Sequence, residues 1–153
     1  MRRDHCLPSA TRISNALFIG GIADANELSE SNPHSIQTVI TLCYEPVNRR
    51  SEYIRYLQFP LRDDKPIRVA WLNAILNAIE DSIPRGHVLL QCGAGLSRAP
   101  SVAAAFLDRM GFMSFEDALR FVARRRPVIA PSKVLVQSIA NNLEGFSKKE
   151  RKA

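Results

Sequence analysis

Apolar positions along the chain follow two periods that alternate. Residues 13–20 (ISNALFIG), 36–43 (IQTVITLC) and 56–59 (YLQF) are short apolar runs and predict strands, with the helix-like ADANELSE between the first two. Leu72, Ile75, Leu76, Ile79 and Ile83 then recur on one helical face, behind a proline, Pro66, at a place where a first helical turn tolerates it. Pro84, Arg85 and Gly86 end that helix. The run HVLLQ, residues 87–91, is apolar enough for a strand covered on both faces. Helical spacing resumes from about Arg98 to Met110 and again from Ser114 to Arg125, where Ser114 and Asp117 form a near capping box. RPVIAPS, residues 126–132, reads as a stiff connector, and Ser132 can cap a last helix through Leu143. Strands alternating with helices predict a single α/β domain over residues 1–147, with a central, mostly parallel sheet flanked by helices. Residues 148–153 form a basic, flexible tail in this reading.

Composition narrows the function classes. The 153 residues are 46% hydrophobic and 24% charged, as in an ordinary one-domain globule. The net charge of +6 invites a nucleic-acid reading, but KKERK at residues 148–152 carries +3 and the first five residues +1. The remainder carries only +2, so no nucleic-acid partner is expected. Three scattered cysteines, Cys6, Cys43 and Cys92, make neither a disulfide framework nor a metal-ligand pattern. No metal and no cofactor are expected. The basic start MRRDHCLPSA has no apolar stretch behind it, and no run has the length of a membrane span, so the expected compartment is the cytoplasm. Oligomeric state leaves no trace in the sequence.

The chemistry is concentrated in VLLQCGAGLSRAPSVAAAFL, residues 88–107. A lone cysteine ending a strand is usually a core residue. Here Cys92 stands at the carboxyl end of a buried strand, where α/β sheets gather ligands. Gly93, Ala94, Gly95, Leu96 and Ser97 form a tight loop whose N–H groups can make an anion nest, backed by the positive end of the next helix. Arg98 can close the ring with a bidentate fork on two oxygens. A phosphate fits this cradle, and the same field favours the thiolate as nucleophile. Moving a phosphoryl group to sulfur also needs an acid for the leaving oxygen. FPLRDDKP, residues 59–66, offers Asp63 and Asp64 just after a strand end.

With both segments in view, the chain resembles the protein tyrosine phosphatase superfamily, in its small dual-specificity branch, from about Ile13 to Leu143. The family signature H-C-x5-R followed by Ser or Thr stands here as QCGAGLSRA, and the acid segment as FPLRD. A late R-P-x-I-x-P is matched by RPVIAP from Arg126. The resemblance implies that Cys92 attacks phosphorus and that Arg98 and the backbone of residues 93–98 hold the oxygens. It gives the acid role to Asp63 rather than Asp64, and Asp63 then activates water. It also makes Arg126 a candidate substrate-side cation, with Arg124 and Arg125 as steering charges or helix-end cations, and Cys43 a candidate redox partner of Cys92. The expected substrate is a phosphorylated protein: the neutral loop interior G-A-G-L-S favours phosphotyrosine, with or without phosphoserine or phosphothreonine, over an inositol lipid or an RNA end.

Two positions depart from the signature. Gln91 replaces the histidine that orders the loop, and Ala99 replaces the hydroxyl residue that helps the thiolate depart. The alternative is therefore a catalytically weakened phosphate-binding adaptor.

Overall fold

The apolar runs become strands wherever both faces can be covered. The computed structural model describes residues 8–152, with side chains described to residue 143. In chain order the elements are β1 (Thr11–Arg12), β2 (Leu17–Gly21), α1 (Ile22–Glu27), β3 (Ile36–Thr41), β4 (Arg55–Gln58), α2 (Val69–Ser82), β5 (His87–Cys92), α3 (Arg98–Arg109), α4 (Phe115–Arg125) and α5 (Lys133–Lys152). The sheet order is β1-β2-β5-β3-β4. Only β1 runs antiparallel, against β2; the other neighbours are parallel. Cys6 and the side chains of the basic tail at residues 148–153 lie outside the described residues.

Side-chain alternation divides the core in two. Leu17, Ile19, Ile40, Leu42, Val88, Leu90 and Cys92 point into the larger core, where α2, α3, α4 and α5 cover them. Phe18, Val39 and Leu89 point the other way, into a smaller cluster with Ala25, Val47 and Ile54. Strand β5 sits between β2 and β3, so its carboxyl end is held from both sides. The face predicted for α2 is correct: Leu72, Ile75, Leu76 and Ile79 are all buried.

Several boundaries differ from the sequence reading, among them the following three. Residues 13–16 turn instead of extending, because the N–H groups of Ile13 and Ser14 both donate to the Leu17 carbonyl at 2.8 and 3.2 Å. Helix α2 starts at Val69 rather than near Pro66. The Ile67 backbone is engaged by α5, donating to Ser138 Oγ at 2.9 Å and accepting from Asn142 Nδ2 at 3.0 Å. Helix α5 continues past Leu143 to Lys152, although the apolar periodicity fades.

Arg126 is the main correction. Expected on the substrate side, it is 1% exposed and sits behind the loop formed by residues 93–97. Its Nε donates to the Gly95 carbonyl at 3.0 Å and its Nη2 to that of Ala94 at 3.5 Å. On the other side Nη1 donates to the Ser9 carbonyl at 2.7 Å and to Thr11 Oγ1 at 2.8 Å. Burial pulls the guanidinium below its ordinary value, while Asp24 and Cys92 oppose that pull. The position that follows helix α4 therefore ties the chain start to the cysteine loop, because only a guanidinium presents donors in so many directions at once.

Arg126→Met is expected to lose about 1.5–3 kcal/mol, since it removes hydrogen bonds from a charged donor and strands buried carbonyls. The loss should appear as a lower denaturant midpoint at unchanged slope. Arg126→Lys should recover little of it. A wild-type midpoint for Arg126→Met would show that the carbonyls find other donors.

Candidate active site

Strand β5 presents Cys92 and the residue before it to opposite faces. Gln91 is fully buried on the smaller-core side, and its Nε2 donates to Thr41 Oγ1 across the β3–β5 register at 2.7 Å. Its Oε1 has no partner among the described residues. Glutamine here is thus a cross-strand tie. It leaves one buried acceptor unsatisfied among the described residues.

The loop from Gly93 to Ser97 is held by its carbonyls. The Gly93 carbonyl accepts from Ile22 N–H at 2.9 Å, that of Leu96 from Ala130 N–H at 2.8 Å, and that of Ser97 from Ser101 N–H at 3.0 Å. Those of Ala94 and Gly95 accept from Arg126. Every carbonyl from residue 93 to residue 97 is thereby drawn outward. The described chain contains no cis peptide bond, and in a planar trans peptide each N–H points opposite to its carbonyl. The N–H groups of residues 94–98 therefore turn to the other side, and those of residues 94–97 meet no acceptor among the described residues. This is an anion nest built by pinning its back. Gly95 is required for it. Its φ of +72° suits glycine, and a Cβ there would lie 2.6 Å from the Gly20 carbonyl carbon.

Cys92 is 2% exposed, and its Sγ accepts the N–H of Ala99, in the first turn of α3, at 3.4 Å. Arg98 donates through Nη1 to the Leu61 carbonyl at 3.2 Å, which joins the acid loop to the cysteine loop. The two aspartates separate clearly. Asp63 Oδ1 accepts a short 2.6 Å hydrogen bond from Ser97 Oγ, which in turn accepts from Ser132 N–H at 2.8 Å. Asp64 turns outward to a two-pronged pair with Arg62 at 3.0 and 3.1 Å, and that guanidinium holds its carboxyl below the usual range.

Cys43 and Cys92 are both free, buried thiols. Burial pushes the Cys43 thiol up, and a weak hydrogen bond to the Glu45 carbonyl at 3.6 Å only partly opposes this. Arg124 and Arg125 are exposed, the latter over the Phe121 ring at 5.2 Å. The structure thus brings Cys92, residues 93–98 and Asp63 together, turns Asp64 away from them, and puts Arg126 against the back of the loop. The sequence reading missed the Ser97 hydroxyl, the Leu61 carbonyl and Ser132 as organisers. Ser97 carried a usable signal, a hydroxyl beside the arginine in a loop otherwise made of apolar residues and glycine. A carbonyl carries none.

Comparison with known proteins agrees with this geometry. The profile of the family described as dual specificity phosphatase, catalytic domain, matches residues 17–142. Rat dual specificity protein phosphatase 18 is 34% identical over 127 residues, covering 80% of this chain and 61% of that protein. This chain thus spans less than two thirds of that relative's length. The crystal structure of a human DUSP28 variant aligns with a TM-score of 0.84 at 22% identity, over 93% of this chain and 99% of that one. A mouse putative dual specificity phosphatase, crystallised as a zinc tungstate complex, gives 0.83 at 23% identity, over 98% and 96%. At such identities the structural likeness speaks for the fold. The profile match covers most of the chain, which therefore belongs to the dual specificity phosphatase catalytic domain family.

Proposed function

We propose that the chain hydrolyses phosphate monoesters on proteins through a cysteinyl-phosphate intermediate. The observation that carries this reading is the outward pinning of all five loop carbonyls, which leaves a ring of N–H groups around the end of β5. Such a ring, with Arg98, complements the spread charge on the equatorial oxygens of a transferring phosphoryl group. Cys92 sulfur attacks phosphorus, the P–O bond breaks, and Asp63 gives its proton to the leaving oxygen. Oδ2 of Asp63 has no hydrogen bond among the described residues and is the end free to carry that proton; Oδ1 stays on Ser97. In the second half Asp63 takes a proton from water, the water oxygen bonds to phosphorus, and the S–P bond breaks to release phosphate and the thiolate. The neutral loop interior places no cation for a second phosphate group, which favours phosphotyrosine with or without phosphoserine or phosphothreonine.

A second reading, a weakened phosphate-binding adaptor, is favoured by two observations: the unsatisfied Gln91 Oε1 and the fully buried Ala99, which offers the sulfur an N–H but no hydroxyl.

Wild type is expected to hydrolyse an aryl phosphate and to be inhibited by vanadate. Cys92→Ser should abolish turnover while still binding phosphate-like anions, because the nest and Arg98 survive. Retention of more than trace activity in Cys92→Ser refutes the nucleophile. Asp63→Asn should lower kcat by about 10²–10⁴-fold for poor leaving groups and little for good ones. An equal loss for all leaving groups would move the acid elsewhere.

The two readings separate in rapid mixing. If Ala99 slows breakdown of the intermediate, wild type should show a burst of alcohol and then a slow steady rate. Ala99→Ser should raise that rate and shrink the burst. Absence of a burst, with Ala99→Ser unchanged, removes this support for the adaptor.

We also propose that Cys43 protects Cys92. Peroxide would oxidise Cys92 to a sulfenic acid, and the Cys43 thiolate would form the S–S bond while the hydroxyl leaves as water. Since burial raises the Cys43 thiol, its thiolate fraction is small at neutral pH and grows as pH rises. Peptide mapping after mild peroxide should show a Cys43–Cys92 link whose rate of formation climbs with pH. Its absence at every pH sinks the idea.

A further inference from the structure

Next to the acid loop lies a cavity of about 410 Å³ that the phosphoryl-transfer chemistry does not use. Its walls include Tyr44, Pro60, Leu61, Lys65, Arg68 and Trp71. Leu61 is shared with the active site, since its carbonyl accepts from Arg98. The cavity is therefore a neighbour of Asp63, which stands between its lining residues Arg62 and Lys65 in the chain.

The apolar part of this surface is rigid. Trp71 is 39% exposed, yet its indole N–H donates to the Pro60 carbonyl at 3.0 Å and its ring meets Phe59 edge-on at 5.6 Å. Tyr44, also in the lining, is 63% exposed. An aromatic face that stays wet at a fixed position, as that of Trp71 does, is the kind of low-entropy contact that peptide-binding surfaces use. The charged part is unbalanced. Arg62 has its own counter-ion in Asp64. Lys65 and Arg68 are exposed and have no carboxylate at ion-pair distance among the described residues. Arg68 also occupies the N-cap of α2, and the first turn of that helix holds no acidic residue. A cation is disfavoured at a helix N-terminus, where its charge adds to the positive end of the dipole.

We propose that this groove binds the substrate chain beside the phosphorylated residue and selects a segment with an acidic residue next to a bulky apolar one. The carboxylate meets Lys65 and Arg68, and the apolar side chain lies between Trp71 and Tyr44. Charge complementarity and the place of the cavity beside the Asp63 loop favour a peptide over a second copy of this chain, whose body is itself net basic. The inference rests on the phosphatase reading for the identity of the substrate, and its test is separable from that reading.

The test is binding of two fluorescent phosphotyrosine peptides to Cys92→Ser protein, one with Glu and Leu beside the phosphotyrosine and one with Gly and Ser. The acidic–apolar peptide is expected to bind about tenfold tighter, the size that two exposed ion pairs and a partly buried apolar side chain provide together. Adding Lys65→Ala and Arg68→Ala should remove most of that preference, and added salt should shrink it in the parent protein only. Both side chains are exposed, so the fold should tolerate their loss. Equal binding of the two peptides, or a preference that survives the double substitution, overturns the groove. Wild-type turnover of an aryl phosphate reports on the phosphatase reading separately: its failure beside a retained peptide preference would leave the groove in an adaptor.

Discussion

The site depends on one constraint: a planar peptide cannot present its carbonyl and its N–H to the same side. To aim a ring of N–H groups at an anion, the fold must find a donor for each carbonyl on the far side. It draws these donors from α1 at Ile22, from the guanidinium of Arg126, from the connector at Ala130 and from α3 at Ser101. Two segments distant in sequence, Ile22 and residues 126–130, converge on the loop, and the first turn of α3 closes its last carbonyl. The parallel sheet is what lets them meet, because it delivers the ends of β2 and β5 side by side, in register from Leu17 opposite Val88 to Gly21 opposite Cys92.

This arrangement explains features that look uneconomical alone. A buried arginine without a carboxylate partner is expensive to desolvate. Arg126 is retained by carbonyl and hydroxyl acceptors on two sides, Gly95 on one and Ser9 and Thr11 on the other. A carboxylate in its place of contact would satisfy the charge but compete for the donors that the loop needs. The close approach of Gly95 to Gly20 has the same origin, since a loop drawn back this far leaves no room for a Cβ. Ser97 adds the link to the acid. Its hydroxyl accepts from Ser132 and donates to Asp63, so the position of the carboxylate is set by the loop it would serve. Arg98 and the Leu61 carbonyl tie the same two loops a second time.

Gln91 shows how the sheet decides what the residue next to Cys92 can do. Adjacent residues on a strand face opposite ways. Cys92 enters the large core and the first turn of α3, while Gln91 enters the small core and bonds Thr41. A substitution beside the cysteine thus acts through the packing of β3 against β5 and not through contact with sulfur. Ala99 is the converse case: seven residues away in sequence, it touches the sulfur directly through its N–H.

Much of this was legible in the chain. Short apolar runs located β3 and β5, and the period-3.6 pattern located the buried face of α2, because burial against neighbours is what those patterns encode. The C-x5-R spacing with two glycines pointed to the tight loop after β5, since tight turns are local chemistry. The start of α2, the turn at residues 13–16 and the burial of Arg126 were not legible. Two of them were decided by partners far away in sequence, Ser138 and Asn142 for Ile67, and Ser9, Thr11 and Gly95 for Arg126, and the turn by backbone bonds to Leu17 that no apolar period encodes. The choice between Asp63 and Asp64 lies on the same boundary. Two identical carboxylates stood side by side in the acid segment, and resemblance favoured the first. Only the packed molecule separated them physically, giving Asp63 to Ser97 and Asp64 to Arg62. Sequence by itself determined which groups were available and which spacings were local. Tertiary structure decided which acceptor each donor reached, because a hydrogen bond depends on distance and direction, and neither is carried by residue order.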